Sequence, residues 1–512
     1  MQPMSSRDLP PSDAPLAAID MGSNSFRIEI GQMLRGRYRR IDYVKETVRL
    51  GAGLDGQGLL TDEAAERGLA CLRRFSVRAA DLHPSRVRAV ATQTLREARN
   101  RDAFLLRAQA ALGHPIEVIS GREEARLIYT GVAHLQPGEG TRLVIDIGGR
   151  STEMILGQEM RALRAESFAV GCVSLSMDHF ADGTFSAERF RAAQVAAGAE
   201  LEEALAAFAP GSWEQALGSS GTVGAVSAVL AANGRDDGVI TTPHLQWLIQ
   251  RCLKAGHVDR LELAGLKDDR RAVFAGGLAL LYTLAAQFGI TDLVPARGAL
   301  RQGVIIELHE RLSAERDGGA VGGDRRDASV RELQQRFEVD TVQAARVRTV
   351  ALALYRQLTP DDAEGARELG WAADLHELGQ MVSHHDHHRH SAYLLAHVDA
   401  PAFSQTQQRQ LAALVLGQRG GLRKIELALT ARRFALQVLA LRLAAIKCHA
   451  RAPVDGNALR LDLHDKQVRL RFDSAWADTH PRTLYLLQRE AEAWSRSGVL
   501  KFEMGDPAQD WV

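Results

Sequence analysis

LVIDIGGRSTEMILG, Leu143 to Gly157, is the stretch that decides the fold. An apolar run ends in Asp146, two glycines and Ser-Thr-Glu follow, and a second apolar run begins. Short apolar runs on either side of a Gly-rich turn read as two strands of a hairpin. An acid and two bare backbones at the tip of a buried strand need a reason. The chain carries a second copy near its start, LAAIDMGSNSFRIEIG, Leu16 to Gly31. Asp and Gly also build ordinary tight turns. Two matching copies in one chain favour a duplicated unit with a single site between the copies.

Around the first copy strands and helices alternate. Thr61 to Leu82 has helical periodicity, with Thr61 as N-cap and Glu63 in the first turn. VRAVATQTLREA places a strand before a helix, IEVIS is a short strand, and GREEARLIYTGVAHL is helical. A second block opens with the Leu143–Gly157 hairpin. It contains GSSGTVGAVSAVL, a Gly/Ser turn entering a helix, and RRAVFAGGLALLYTLAAQFGI, a long apolar helix. Such alternation argues for α/β layers. Ala314 to Ala328 is rich in Gly and charge and reads as a linker. The chain beyond it is helical to about Cys448. The last stretch holds two alternating strands, a helix and an end strand. The division expected is a polar, Pro-rich tail (1–15), α/β domain I (16–135), α/β domain II (136–312), a linker (313–328), a helical domain (329–449) and a small α+β domain (450–512).

Composition excludes several classes. The 512 residues carry 63 basic and 63 acidic side chains, so no global field draws in nucleic acid. Apolar runs stop short of the roughly 18 residues of a membrane span, so no integral membrane segment is expected. Four scattered cysteines fit neither a disulfide framework nor a zinc knuckle and suggest a reducing, cytoplasmic compartment.

The chemistry of the two hairpins follows from their backbones. N–H groups of a glycine-rich turn converge on an anion because no side chain shields them. Gly148 and Gly149, with Ser151, offer one such nest; Gly22, Ser23, Asn24 and Ser25 offer the other. Phosphate suits two facing nests. Carboxylates beside phosphate need a cation, so Asp146 and Glu153 are candidates to hold Mg²⁺, directly or through water. Asp20 would position a metal-bound water or the turn itself. ISGREEARL, at a strand-to-helix passage, offers a carboxylate to activate water. Arg96 can grip phosphate as a rigid fork. Ser219, Ser220, Gly221 and Thr222 precede a helix, a ready anion site.

These residues carry a resemblance. The paired hairpins are similar to the phosphate loops of the actin-like ATPase superfamily. More narrowly, AAIDMGSNSFRI, ATQTLREARN, ISGREEARLIYTGV, LVIDIGGRSTEM, GSSGTV and ALRQGV stand in the order seen in the exopolyphosphatase and guanosine pentaphosphate phosphohydrolase family, long four-domain type. The resemblance implies two duplicated actin-like (ribonuclease H-like) domains, an HD-like helical domain and a small C-terminal domain. It implies a general base in the Glu-Glu pair, Glu124 first and Glu123 second, and a substrate-facing Arg301. The family's third loop glycine is replaced by Arg150, expected either to contact phosphate or to turn outward. LHELG, Leu375 to Gly379, resembles the HD signature but has Glu377 where that signature has Asp. With HHDHHRH, His384 to His390, it suggests a scaffold lining a polyanion route rather than a catalytic metal site. The leading expectation is a Mg²⁺-dependent exopolyphosphatase, processively releasing orthophosphate from inorganic polyphosphate. Its rival is hydrolysis of guanosine pentaphosphate. A kinase of the same fold, using Gly276-Gly277 for a base pocket, and a non-catalytic regulator stand behind. Family likeness also implies a homodimer and allows peripheral membrane association.

Overall fold

The computed structural model describes residues 13–235, 239–316, 324–453, 458–465 and 467–505, and the chain divides into two compact units near residue 322. Most of the expected tail and the centre of the expected linker, 317–323, lie outside the described residues, while helix covers the linker's outer ends.

In the N-terminal unit the first half runs β1 (Leu16–Met21), β2 (Ser25–Leu34), β3 (Arg37–Thr47), α1 (Asp62–Ala79), β4 (Val87–Ala91), α2 (Gln93–Glu97), α3 (Arg101–Leu112), β5 (Ile116–Val118) and α4 (Gly121–Leu135). The second half runs β6 (Thr141–Ile147), β7 (Thr152–Gln158), β8 (Arg161–Phe168), α5 (Cys172–His179), α6 (Ala187–Leu201), β9 (Gln215–Ser219), α7 (Ser220–Ala232), β10 (Ile240–Thr241), α8 (Thr242–Ala255), α9 (Asp268–Gln287), β11 (Asp292–Pro295) and α10 (Leu300–Arg316).

The two sheets repeat one topology. The first has the order β3-β2-β1-β4-β5, with β1 antiparallel to β2 and parallel to β4. The second reads β8-β7-β6-β9-β11-β10, with β6 antiparallel to β7 and parallel to β9. Each quoted hairpin is therefore the centre of its own sheet. Period-2 alternation divides their side chains between two cores. Ala17 and Ile19 pack with α1, and Leu16 and Ala18 join Val144, Leu217, Ile128 and Val304 in a core between the halves.

Helices α4 and α10 follow equivalent strands and cross at that core. Only glycine permits their approach. A Cβ on Gly303 would stand 1.8 Å from the Leu127 carbonyl oxygen, and one on Gly131 2.3 Å from the Ala299 oxygen. α1 is capped as expected, Thr61 accepting from the Ala64 N–H. Ser120 caps α4 by accepting from the Glu123 N–H at 3.2 Å.

The C-terminal unit contains α11 (Arg325–Arg336), α12 (Thr341–Leu358), α13 (Ala363–Asp374), α14 (His387–His397), α15 (Gln405–Gly417), α16 (Glu426–Leu429) and α17 (Arg432–Lys447). There follow β12 (Leu459–His464), β13 (Gln467–Phe472), α18 (Ser474–Thr479), α19 (Pro481–Ser497) and β14 (Lys501–Met504). The helices and the three-stranded sheet share one hydrophobic core, from Val347 and Trp371 to Val468 and Trp494. Among the described residues no helix is long and apolar enough to cross a membrane.

Candidate active site

The tips of β1 and β6, the start of α7 and the start of α4 enclose a cavity of about 310 Å³. Its wall carries Asp20, Gly22, Ser23, Asn24 and Ser25 from the first copy and Asp146, Gly148, Gly149 and Ser151 from the second. Ser219, Ser220, Gly221, Glu124 and Arg301 complete the predicted set that lines it. The two loops touch. A Cβ on Gly149 would come within 2.9 Å of Ser23 Cβ and 3.4 Å of the Asn24 nitrogen.

The copies differ at one cross-strand position. Opposite Asp20 stands Arg27, and opposite Asp146 stands Glu153. Asp20 is thereby neutralised, its Oδ2 accepting from Arg27 at 3.0 Å and from Arg301 at 3.4 Å. Asp146 instead faces a second carboxylate. Burial pushes its pKa up, against hydrogen bonds from Ser219 and Ser220 and the charge of Arg27. Glu153, 1% exposed, accepts from Ser167 Oγ at 2.8 Å. Burial and then the charges of Glu124 and Asp146 raise its pKa well above the usual range.

Glu124 lines the cavity and is ion-paired to Arg96 at 2.8 Å. Burial still outweighs that cation. Helped by Asp20 and Asp146, it pushes the Glu124 carboxyl up to about 7. Its neighbour Glu123 points elsewhere. It accepts from Arg126 Nε at 2.7 Å, and Arg126 also pairs with Glu307 of α10. Glu307 pairs in turn with Arg88 at 2.7 Å, and these guanidinium groups hold its carboxyl well below the ordinary value.

Some predicted residues do not reach the cavity wall, the buried Glu153 among them. Arg96 acts on it through Glu124. Thr222 packs toward Gly277, where a Cβ would lie 2.7 Å from Thr222 Cγ2. Arg150 turns to domain I, its Nε donating to Glu97 at 2.9 Å. Arg150→Gly is accordingly expected to change KM less than twofold in steady-state assays; a tenfold rise would place the guanidinium on substrate. The space at Gly276, where a kinase would open a base pocket, is filled by α5, with Ser176 Oγ 2.5 Å from a Cβ built there.

The wall also holds Arg27, inside the first hairpin motif but not singled out there, and Arg40, Tyr43, Lys45, Arg270 and Arg297, which no motif announced. Arg27 was within reach of the hairpin register, which sets it across from Asp20. Arg270 had no local signal: it arrives from the first turn of α9 and lies across Gly221, where a Cβ would be 1.6 Å from its Nη2. Lys45 and Asp269 join the halves at 2.6 Å beside this mouth.

Among the described residues no group of three or more His, Cys, Asp or Glu side chains is disposed to hold a metal. Two buried carboxylates across a strand pair, pushed toward protonation, remain a fitting partial donor set for a hard cation that keeps water ligands. In the C-terminal unit Glu377 is paired with Arg451 at 2.5 Å, and His376 Nδ1 lies 2.7 Å from the Ala373 carbonyl oxygen. His387 and His388 are pushed down to about 4, chiefly by burial, and are neutral at pH 7.

Comparison with known proteins agrees with this architecture. The chain is 38% identical to an Aeromonas hydrophila protein named guanosine-5′-triphosphate,3′-diphosphate pyrophosphatase, over 94% of this chain and 97% of that protein. It is 40% identical to a Pseudoalteromonas atlantica protein of the same name, over 79% of each. An exopolyphosphatase structure from Cytophaga hutchinsonii shares the fold, with TM-score 0.52 and 24% identity, covering 60% of this chain and 98% of that one. Residues 34–312 match the Ppx/GppA phosphatase family, residues 325–491 match that family's domain III, and the chain belongs to it.

Proposed function

We propose that this phosphatase hydrolyses the terminal phosphoanhydride of guanosine pentaphosphate, releasing orthophosphate and guanosine tetraphosphate. The observation that carries the choice of substrate is the near full-length likeness to proteins named for that reaction. It reverses the preference for inorganic polyphosphate drawn from the motifs, which both substrates share.

Hydrolysis needs an anion held in line, its charge neutralised, and a water aimed at phosphorus. The two loop nests and the start of α7 hold the terminal phosphate by backbone N–H groups and hydroxyls. Glu124 takes the attacking water's proton; its pKa of about 7 suits a base working near neutrality. Arg96 orients that carboxylate. Asp146 and Glu153 would hold Mg²⁺ with water completing its shell, and the cation supplies charge neutralisation to phosphate oxygens. Arg270 and Arg301 bind the phosphates beyond the scissile bond.

The test is orthophosphate release with Mg²⁺ from guanosine pentaphosphate and from long-chain polyphosphate in parallel. The nucleotide is expected to show at least a tenfold higher kcat/KM. The opposite order would restore the polyphosphate reading, and turnover of neither would make the nests binding sites of a regulator.

A further inference from the structure

Two arginines on the cavity wall are held from behind by one carboxylate. Glu29, in β2, is fully buried and is not itself part of the wall. Its Oε2 accepts from Arg301 Nε at 3.1 Å, and its Oε1 lies 3.2 Å from Arg40 Nε. Gln302 Nε2 donates to Oε1 at 2.6 Å, and the Tyr38 hydroxyl donates to the same oxygen. Gly31 makes room for that tyrosine, since a Cβ there would stand 2.5 Å from its ring. Strands β2 and β3 of domain I and the start of α10 in domain II therefore meet on a single side chain.

Both guanidinium groups are gripped at Nε, the nitrogen nearest the backbone. Their outer nitrogens are left to the wall, where Arg301 Nη1 lies 3.4 Å from Asp20. Both also lie over the Tyr43 ring, each Cζ 5.2 Å from its centroid, within cation–π range. A lone carboxylate beside a phosphate cavity would repel the substrate, and its burial is costly unless it is paired. Arg27, Arg40 and Arg301 against Asp20 and Glu29, three cations to two anions, leave this cluster one net positive charge. Burial pushes the Glu29 pKa up, but the charge of Arg301, the Tyr38 hydrogen bond and the charge of Arg40 outweigh it and hold the group below its usual range, an anion at pH 7. Ordering a long side chain on binding costs affinity, so an arginine fork already aimed binds phosphate better than a loose one.

We propose that Glu29 is a positioning residue that holds Arg40 and Arg301 as a preset pair of forks for the phosphates beyond the scissile bond. It touches no substrate itself. The inference rests on the phosphate-binding role given to Arg301 above and adds Arg40 to it. A simple pin between the halves would explain the Gln302 and Tyr38 bonds, but not why two of the four donors are arginines of the cavity wall.

Glu29→Gln, Glu29→Asp and Tyr38→Phe test it. The readouts are KM and kcat for guanosine pentaphosphate, the inhibition constant of inorganic tripolyphosphate, and the urea midpoint. Glu29→Gln is expected to raise KM and the tripolyphosphate constant at least tenfold, with kcat within threefold. Glu29→Asp keeps the charge and should recover at least threefold of both losses. Tyr38→Phe removes one bond to Glu29 but neither arginine contact, so its midpoint should fall while KM stays within twofold. A lower midpoint in Glu29→Gln with KM and the tripolyphosphate constant unchanged would make Glu29 a pin and overturn the proposal. So would an equal rise of KM in Tyr38→Phe. If Glu29→Gln does not fold, Arg40→Lys decides. It keeps the charge at a half-exposed position but has one side-chain nitrogen where arginine has three, and an unchanged KM there would overturn the proposal. If the wild type turns over polyphosphate and not the nucleotide, the substrate reading fails, and the same shifts are read on KM for polyphosphate. If it turns over neither, calorimetric Kd for tripolyphosphate carries the comparison, and a wild type that binds none removes both.

Discussion

Glu124→Gln is expected to lower kcat by about 10²–10⁴-fold with little change in KM. Glutamine keeps the shape of the side chain and a carbonyl oxygen for the Arg96 guanidinium, 2.8 Å from Glu124 Oε2 in the wild type. It cannot take a proton. The same group sets the acid limb of the wild-type pH profile. A base works as its carboxylate, and burial has raised this pKa to about 7. Activity is therefore full above that value and falls about tenfold per pH unit below it. The residual rate of the variant should lose that limb. Glu123→Gln is the control. Removing its charge unbalances Arg126 and Glu307 at the helix crossing, so stability falls while kcat is largely kept. An active Glu124→Gln beside an inactive Glu123→Gln would exchange the two roles.

Gly303→Ala should have the largest effect on stability among small substitutions. Its methyl would stand 1.8 Å from a backbone oxygen of α4, which no rotamer change relieves. Overpacking of this kind costs about 1–3 kcal/mol, and a contact with backbone belongs at the upper end. Urea unfolding should show the midpoint fall with the slope unchanged. Gly224→Ala, on an open face of α7 with nothing within 4 Å of the added carbon, should instead stabilise by up to about 1 kcal/mol. A Gly303→Ala midpoint equal to wild type would show that α4 and α10 can separate freely. The helix that would move carries Glu124, so kcat should suffer as well.

The hairpins were legible because strand period, turn glycine and acid all fall within one short stretch, Leu16–Gly31 or Leu143–Gly157. The capped start of α1 was legible for the same reason: Thr61 acts three residues ahead of the N–H it accepts from. What stayed hidden depends on distance along the chain. Arg270 and Gly221 become neighbours only through the packing of α9 against α7, and Lys45 meets Asp269 across the two halves. Arg150 was visible as a departure from a glycine pattern, but its direction was set by Glu97, on a different half. The two glutamates at the start of α4 were ranked, Glu124 before Glu123, only by the resemblance, and their local pattern did not separate them. A turn of about 100° per residue sends one to the cavity and the other to Arg126 and Glu307. The split between polyphosphate and nucleotide could not be read from motifs that hold only the phosphates.

The Gly149 loop and the Ser23–Asn24 loop touch, so an anion held between them as proposed would act as a mortar as well as a substrate. Both halves supply residues to the cavity wall, so any separation of the halves would divide the proposed binding site. Affinity for phosphate and closure of the halves are then two readings of one equilibrium. A saturating anion at a hundred times its Kd adds about 2.7 kcal/mol to the joined state. Product that lingers would keep the molecule shut, and the departure of orthophosphate would be the event that resets it for the next turnover.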